Sequence, residues 1–392
     1  MKKIKLAIYS MHPIQYQVPI FKEITKNTNF DITVLYGDKL GVNGYYNEYF
    51  KSFIKWDIPL LTGYKYRFFS NFTFKKITGF FSRFNPGMGL HILLRGYDVL
   101  LIHGYQTFSA WIVLFAGKIT GKKIILRGEA LIKNKNINLK TRINSFFIKF
   151  FLSNTDIIMY SCKGNKLYWK NLGVKDSKLF FMPCVVDNKY FQIQSKKLIK
   201  NKKDLRKDLK ISIYDFVILF SGRFTERKRP FDLINAVSKI KNKKNCLILF
   251  IGDGPLKEAM QEKCSRNKVR SHFTGFINQS ILSRYYILAD CVACISSYDA
   301  SPKVLNEAMN FSLPVIVSNM VGTAEDLVDK KNGYIVDVGD IDSIADSISQ
   351  MMLNPKDKIL MGKESFLKVS KFDLQSNSKI IKEAVNFLLV EN

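Results

Sequence analysis

The sequence predicts an α/β fold built from two doubly wound domains of similar size. Short apolar runs rich in Ile, Val and Leu alternate with helical segments along most of the chain, the pattern of strand–helix–strand units. The 392 residues exceed the roughly 250 to 300 at which a single core stops growing. A hydrophobic fraction of 47% supplies enough apolar surface for two buried cores.

The N-terminal half opens with the strand IKLAIYS, a Pro-containing turn, a helix from about Gln17 to Lys26 and a strand from Phe30 to Gly37. The apolar run in DVLLIHG (Asp98 to Gly104) is of the parallel-sheet kind. It leads into a helix, SAWIVLFAGKI, and the strand Lys122 to Gly128. Asp156 to Gly164 and Lys178 to Asp187 complete this half, and the polar, Lys-rich residues 188–212 read as a linker. The second half repeats the alternation, with strands at 216–221, 246–252, 272–273 and 291–295 separated by helices at 231–241, 256–267 and 280–288. A last helix spans about 374–389. The expected domains are 1–190 and 191–370, with 371–392 as a C-terminal helix.

The most informative segment is SSYDASPKVLNEAMNFSLPVIVS, residues 296–318, a loop, an amphipathic helix and a buried strand. Asp299 falls in the loop before the helix, where backbone N–H groups lack intrahelical partners and the helix dipole favours a bound anion. Glu307 follows about two turns further on, on the same flank. Two carboxylates around an anion-binding helix tip suit a sugar nucleotide: the tip takes a diphosphate and the acids accept hydrogen bonds from sugar and ribose hydroxyls.

This segment resembles the acid-x7-acid signature of the family-four retaining glycosyltransferases, and its neighbours extend the resemblance. LFSGRFTERKRP puts Gly222, Arg223 and Lys228 where that family has Gly-Arg and then Lys. LILFIGDGP, HFTGF, ADCVACISS and VGTAEDL then follow in the family's order over residues 215–340. Two positions differ: the first acid is Asp where Glu is usual, and Pro302–Lys303 stands where Gly and an apolar residue are usual. Pro302 removes one N–H donor, and Lys303 offers a full positive charge in its place. The resemblance implies the GT-B fold, two Rossmann-like domains facing across a cleft, with the C-terminal helix packing back on the N-terminal domain. It implies donor contacts from Gly222, Arg223, Lys228, Asp299, Ser301, Lys303, Val304 and Glu307, and metal-independent chemistry with a UDP- or GDP-linked sugar as substrate and no resident cofactor.

In the N-terminal half the resemblance is weaker. His103, at the end of an apolar strand, stands where the family keeps an active-site His that touches the donor sugar. His12 and Gln15 lie in a loop that the family commonly fills with Gly and are read as acceptor contacts, as are Arg127 and Glu129 at the end of a neighbouring strand. The implied acceptor is a saccharide or lipid-linked saccharide, in assembly of capsule, O-antigen, lipopolysaccharide or a similar glycan. A sugar-nucleotide epimerase of similar fold and a non-catalytic basic membrane- or nucleic-acid-binding protein are the alternatives.

Composition bears on partners. Sixty-one Lys and Arg against 33 Asp and Glu give a net charge of +28, a field that favours an anionic partner. No helix-turn-helix, zinc-finger or RNA-recognition signature accompanies it, so nucleic acid is not the expected partner. Lys65 to Asn85 and Leu139 to Asn154 interleave Phe with Lys and Arg, as interfacial segments do, which points to an anionic inner-leaflet membrane. Six scattered cysteines read as reduced core residues, Cys291-Val-Ala-Cys294 included. Met1-Lys-Lys leads directly into a strand with no signal-peptide pattern, and no run of about 18 apolar residues appears, so a cytoplasmic, peripheral protein is expected.

Overall fold

The computed structural model describes residues 3–47, 52–73, 79–132 and 139–390. The chain divides into two compact units: residues 1–45, 59–184 and 374–392 form the first, and residues 46–58 and 185–373 the second.

The first unit is built on a seven-stranded sheet. Its strands are β1 (Ile4–Ser10), β2 (Phe30–Tyr36), β5 (Lys65–Phe68), β6 (Val99–His103), β7 (Lys123–Arg127), β8 (Ile157–Tyr160) and β9 (Leu179–Phe181), in the order β5-β2-β1-β6-β7-β8-β9. All pairs are parallel, with Ile4 opposite Phe30 and Leu6 opposite Val99. Helices cover both faces, so the central strands are apolar throughout: Leu6, Ile8, Val34, Val99, Leu101 and Ile125 are fully buried. The last helix, Leu374–Val390, belongs here and buries Ile381, Ala384, Val385 and Leu388.

The second unit holds a six-stranded parallel sheet and, from Tyr46 on, a short pair, β3 (Tyr45–Asn47) and β4 (Ser52–Ile54). The sheet comprises β10 (Phe216–Ser221), β11 (Cys246–Ile251), β12 (Ser271–Phe273), β13 (Cys291–Cys294), β14 (Val315–Ser318) and β15 (Gly333–Val336), in the order β12-β11-β10-β13-β14-β15. The order reverses direction beside β10, between β11 and β13, which is where an open α/β sheet leaves room for a ligand at its carboxyl edge. All six cysteines are buried and unbridged.

Two expectations require correction. Residues 46–58 lie inside the stretch read as the N-terminal domain yet pack in the second unit, where Asn278 Nδ2 donates to Lys55 O (2.9 Å) and Trp56 meets Phe276 edge-on. Residues 188–212 are no linker. They fold into the helices Asn188–Leu198 and Lys202–Asp208, which bury Phe191 and Arg206. Arg206 donates to the carbonyls of Leu288 (2.6 Å) and Asp215 (3.0 Å) and pairs with Asp290 at 2.7 Å. A Lys-rich composition says where the helix surface is wet and nothing about the two side chains that anchor it.

Asn188, directly after Asp187, ties this region together. Its amide donates to Val369 O and Phe372 O (both 3.0 Å) and its oxygen accepts from Asn310 Nδ2 at 2.8 Å. Asn188→Ala removes all three hydrogen bonds, and a loss of about 3 kcal/mol in urea denaturation is expected; a change within about 0.5 kcal/mol would mean that the partners find replacements.

Candidate active site

The loop after β10 is fixed by a backbone-on-backbone contact. Gly222 N donates to Ile251 O and Phe224 N to Asp253 O, both at 2.9 Å, so residues 222–224 lie along the turn that follows β11. A Cβ at Gly252 would stand 2.0 Å from Gly222 O, and one at Gly254 2.5 Å from Phe224 O. Only glycine permits that approach. Phe224, fully buried against Phe250 and Phe273, anchors the loop from below. Exposed Arg223 and half-buried Lys228 therefore leave the carboxyl edge of β10 from a rigid loop.

The loop after β13 meets it from the other side. Arg227 donates to Tyr298 O at 2.7 Å and Ser297 N to Arg227 O at 2.8 Å. Lys228 Nζ forms an ion pair with Asp299, whose backbone oxygen accepts from Gly322 N at 2.8 Å. The Lys228 and Asp299 side chains are only 12% and 16% exposed, so the pair is largely withdrawn from water. The sequence-predicted Gly222, Lys228 and Asp299 thus come together, with Arg223 on the same loop.

The helix that follows, Lys303–Met309, has only seven residues and is capped by Pro302 with no side-chain hydrogen bond. Two turns make a weak dipole. The cationic ends of Lys228, Arg223 and Lys303 are therefore the stronger anion-holding elements of this edge. Ser301 Oγ and, on the neighbouring turn, Thr323 Oγ1 are buried with no hydrogen-bond partner among the described residues. Val304 is buried on the first turn of the helix, and Lys303 reaches back to Ser301 O at 3.2 Å.

Glu307 lies on the buried face of the helix, 3% exposed, and accepts a hydrogen bond from Tyr286 OH at 2.6 Å. Tyr286 is itself fully buried and stacks on Phe311 at 5.3 Å. Sequence reasoning missed Tyr286, because nothing in SRYYILAD marks one of two adjacent tyrosines as the partner of an acid 21 positions away. Removing the Glu307 carboxylate therefore takes a buried acceptor away from Tyr286 as well as from the site.

In the first unit, His103 ends β6 in register with Arg127 on β7. Burial, and after it the Arg127 charge, push its imidazole down to about 3, so it is neutral at physiological pH. Gln17 Nε2 lies 3.3 Å from His103 Nδ1, and Ser10 Oγ donates to Gln17 Oε1 at 2.9 Å. With the Gln17 amide donating to Nδ1, the ring proton resides on Nε2. Gln17 was not among the residues singled out by sequence. His12 is partly buried, its Nδ1 3.1 Å from Pro13 O, and burial lowers its pKa. Gln15 is buried, its Oε1 unpartnered among the described residues. Arg127 is 5% exposed and engaged by Met159 O (3.3 Å), Cys184 Sγ (3.2 Å) and the Glu129 carboxylate (3.5 Å). Cys184 in turn donates to Glu129 at 2.9 Å. Arg127 is thus a strut for the carboxyl edge of the sheet. Among the described residues, no group of three or more His, Cys, Asp or Glu is assembled as a metal-ligand set.

Two Rossmann-like units, each a parallel sheet with its polar side chains at the carboxyl edge, define the GT-B class. The crystal structure of Anabaena HepE in complex with UDP matches this architecture with a TM-score of 0.76, covering 98% of this chain and 99% of that one at 15% identity. Residues 201–366, within the second unit, match the family described as glycosyl transferases group 1. An uncharacterized glycosyltransferase of Methanocaldococcus jannaschii is 31% identical over 155 residues, 39% of this chain and 40% of the relative. The amylovoran biosynthesis glycosyltransferase AmsD of Erwinia amylovora is 31% identical over 121 residues, 31% of this chain and 34% of the relative. The chain thus matches well under half the length of these curated relatives.

Glu307→Ala should lower stability by about 1 to 3 kcal/mol through loss of the buried Tyr286 hydrogen bond, while Glu307→Gln, which still accepts that bond, keeps the melting temperature. A double-mutant cycle with Tyr286→Phe checks the coupling. For His103, the unfolded imidazole titrates near 6.5 and the folded one near 3. The unfolded chain therefore binds a proton that the native state refuses: stability is full above about pH 6.5 and falls as pH drops toward 3. Melting curves should show a shallower loss between about pH 7 and about pH 4 in His103→Gln than in the wild type.

Proposed function

We propose that the protein is a retaining glycosyltransferase that moves a sugar from a UDP- or GDP-linked donor to a saccharide, lipid-linked, during assembly of a surface polysaccharide such as capsule, O-antigen or lipopolysaccharide. The observation that carries this reading is the Lys228–Asp299 pair, whose members lie 71 positions apart and meet at the carboxyl edge of a parallel sheet inside the family-matching segment. Lys228 and Arg223 offer fixed positive charge to the departing diphosphate, where negative charge grows as the glycosidic bond breaks. Asp299 holds Lys228 in place and accepts from a sugar hydroxyl; Ser301 and Lys303 add donors, Val304 an apolar wall, and Glu307 an acceptor for ribose. In the N-terminal unit, neutral His103 presents an Nε2–H suited to a sugar hydroxyl and unsuited to acid–base work at neutral pH.

Retention follows from attack on the face the leaving group vacates. The acceptor oxygen forms the new bond to the anomeric carbon, the carbon–phosphate-oxygen bond breaks, and the departing phosphate oxygen takes the acceptor's proton. No side chain has to serve as a strong base. The charge needed by the leaving group comes from fixed cations, so neither a metal nor a resident cofactor enters this reading. The likeness to HepE, solved with UDP, supports a nucleotide donor, and the likeness to an amylovoran glycosyltransferase supports a polysaccharide product. No helix among the described residues is long and apolar enough to cross a membrane, and the charge of +28 supports peripheral work at an anionic inner leaflet, on the cytoplasmic side.

Lys228→Ala is expected to lower kcat by about 10²- to 10³-fold while weakening nucleoside diphosphate binding no more than about tenfold, because leaving-group charge is greatest in the transition state. Transfer assays across a panel of nucleotide sugars and calorimetry with nucleoside diphosphates measure the two quantities. Equal losses would reduce Lys228 to an anchor. Turnover should survive a chelator, and absence of transfer from every donor overturns the reading.

A further inference from the structure

We propose that one contiguous aromatic face of the first unit, gathered around Trp111, is the surface that docks on an anionic lipid bilayer. This rests on the membrane reading above and assigns the surface that performs it.

The helix Leu139–Ser153 carries apolar residues at Ile143, Phe146, Phe147 and Phe150, the i, i+3, i+4, i+7 spacing that ordinarily marks the buried side of a helix. Here that stripe faces water: the four are 47%, 67%, 52% and 42% exposed, while the buried contacts come from Phe151 and Leu152. Phe151 seats the helix on Trp111, ring centroids 5.1 Å apart.

The stripe does not stand alone. The helix Phe108–Ile119 adds Phe115 and Ile119 to it, both exposed, and Phe115 meets Phe150 at 6.3 Å. The turn Gly79–Ser82, more than sixty positions away in sequence, brings Phe80 and Phe81 to the other side of Trp111; Phe80 lies 6.2 Å from Trp111, and Phe81 5.8 Å from Phe108. Two segments that read separately as interfacial thus meet in one surface. Lys75 and Lys76 of the first segment lie outside the described residues. A patch of this kind needs a partner.

Charge selects the partner. Between Lys65 and Thr155 the sequence has fifteen lysines and arginines and two acids, Asp98 and Glu129. Exposed Lys118 and Lys149 sit on the two helices that bear the aromatic rings. A second copy docking through the same face would set two strongly basic surfaces against each other. Single-stranded nucleic acid stacks on open ring faces, but here neighbouring rings meet edge-on, Phe146 with Phe147 at 76° and Phe80 with Phe81 at 85°, so their faces do not line up as a stacking track. Anionic headgroups meet the lysines, and an acyl boundary accepts the phenyl rings.

Sedimentation with phosphatidylglycerol vesicles, and with phosphatidylcholine vesicles for comparison, tests the assignment. Wild type should bind the anionic vesicles, less so as salt rises. Phe81→Ser/Phe146→Ser/Phe147→Ser should lower that binding at least tenfold with an unchanged melting temperature and unchanged transfer to a soluble acceptor. Lys118→Ser/Lys149→Ser should lower it and flatten its salt dependence. Triple-variant binding equal to wild type would overturn the assignment of this face while leaving the membrane reading intact. A wild type that ignores both vesicle types would remove that reading itself. A wild type that dimerises in vesicle-free solution, with the triple variant monomeric, would also overturn the proposal and make the face a protein contact.

Discussion

The close approach of two backbone turns governs the carboxyl edge of the second sheet. Gly252 and Gly254 let the turn after β11 lie directly on residues 222–224, with no side chain between the strands' ends. That contact gives the loop carrying Arg223 and Lys228 a floor of main-chain hydrogen bonds, which holds a geometry more tightly than long side chains do. From there the order of causes is short. The fixed loop presents Lys228 to Asp299, and the backbone of Asp299 holds the turn at Gly322. A methyl group at Gly252 would act on all of these at once, although it touches none of the charged atoms.

The ion pairs in the chain differ widely in what they contribute. Arg266–Glu262 is 72% and 69% exposed on its helix, and pairs of that kind contribute at most about 1 kcal/mol. Lys228–Asp299 is largely buried, so each charge would be costly to leave alone. Such a pair is poor evidence of a stabilising device and good evidence of a retained polar site. The same holds for Glu307 and Tyr286, a hydrogen bond enclosed in a core that an apolar pair of similar volume would fill as well.

The alternation of strands and helices and the parallel, doubly wound character of both sheets were legible in the sequence because their signals are local: apolar runs of strand length separated by helical segments, and glycines at the ends of strands. What lay beyond reach was long-range. Tyr286 finds Glu307, Gln17 finds His103 and Cys184 finds Arg127 only after the sheets are assembled, and no spacing rule joins them. The linker reading of 188–212 failed for a related reason. Lysine counts describe the solvated side of those helices, whereas Asn188, Phe191 and Arg206 describe the other. The phenylalanines of residues 143–150 present the reverse case: periodicity marks one face of that helix as apolar, and nothing in the pattern says whether protein or another medium lies against it.

The partition of the chain also has a kinetic consequence. Because residues 46–58 belong to the second unit and residues 374–392 to the first, the polypeptide passes between units four times. A ribosome making this chain releases most of the first sheet early, yet the helix that covers it with Ile381, Ala384 and Val385 follows only after residues 185–373. Domains otherwise able to fold in order of synthesis are here interleaved. The apolar surface awaiting that helix stays open during translation of nearly two hundred further residues, a longer exposure than a domain made in one stretch would have.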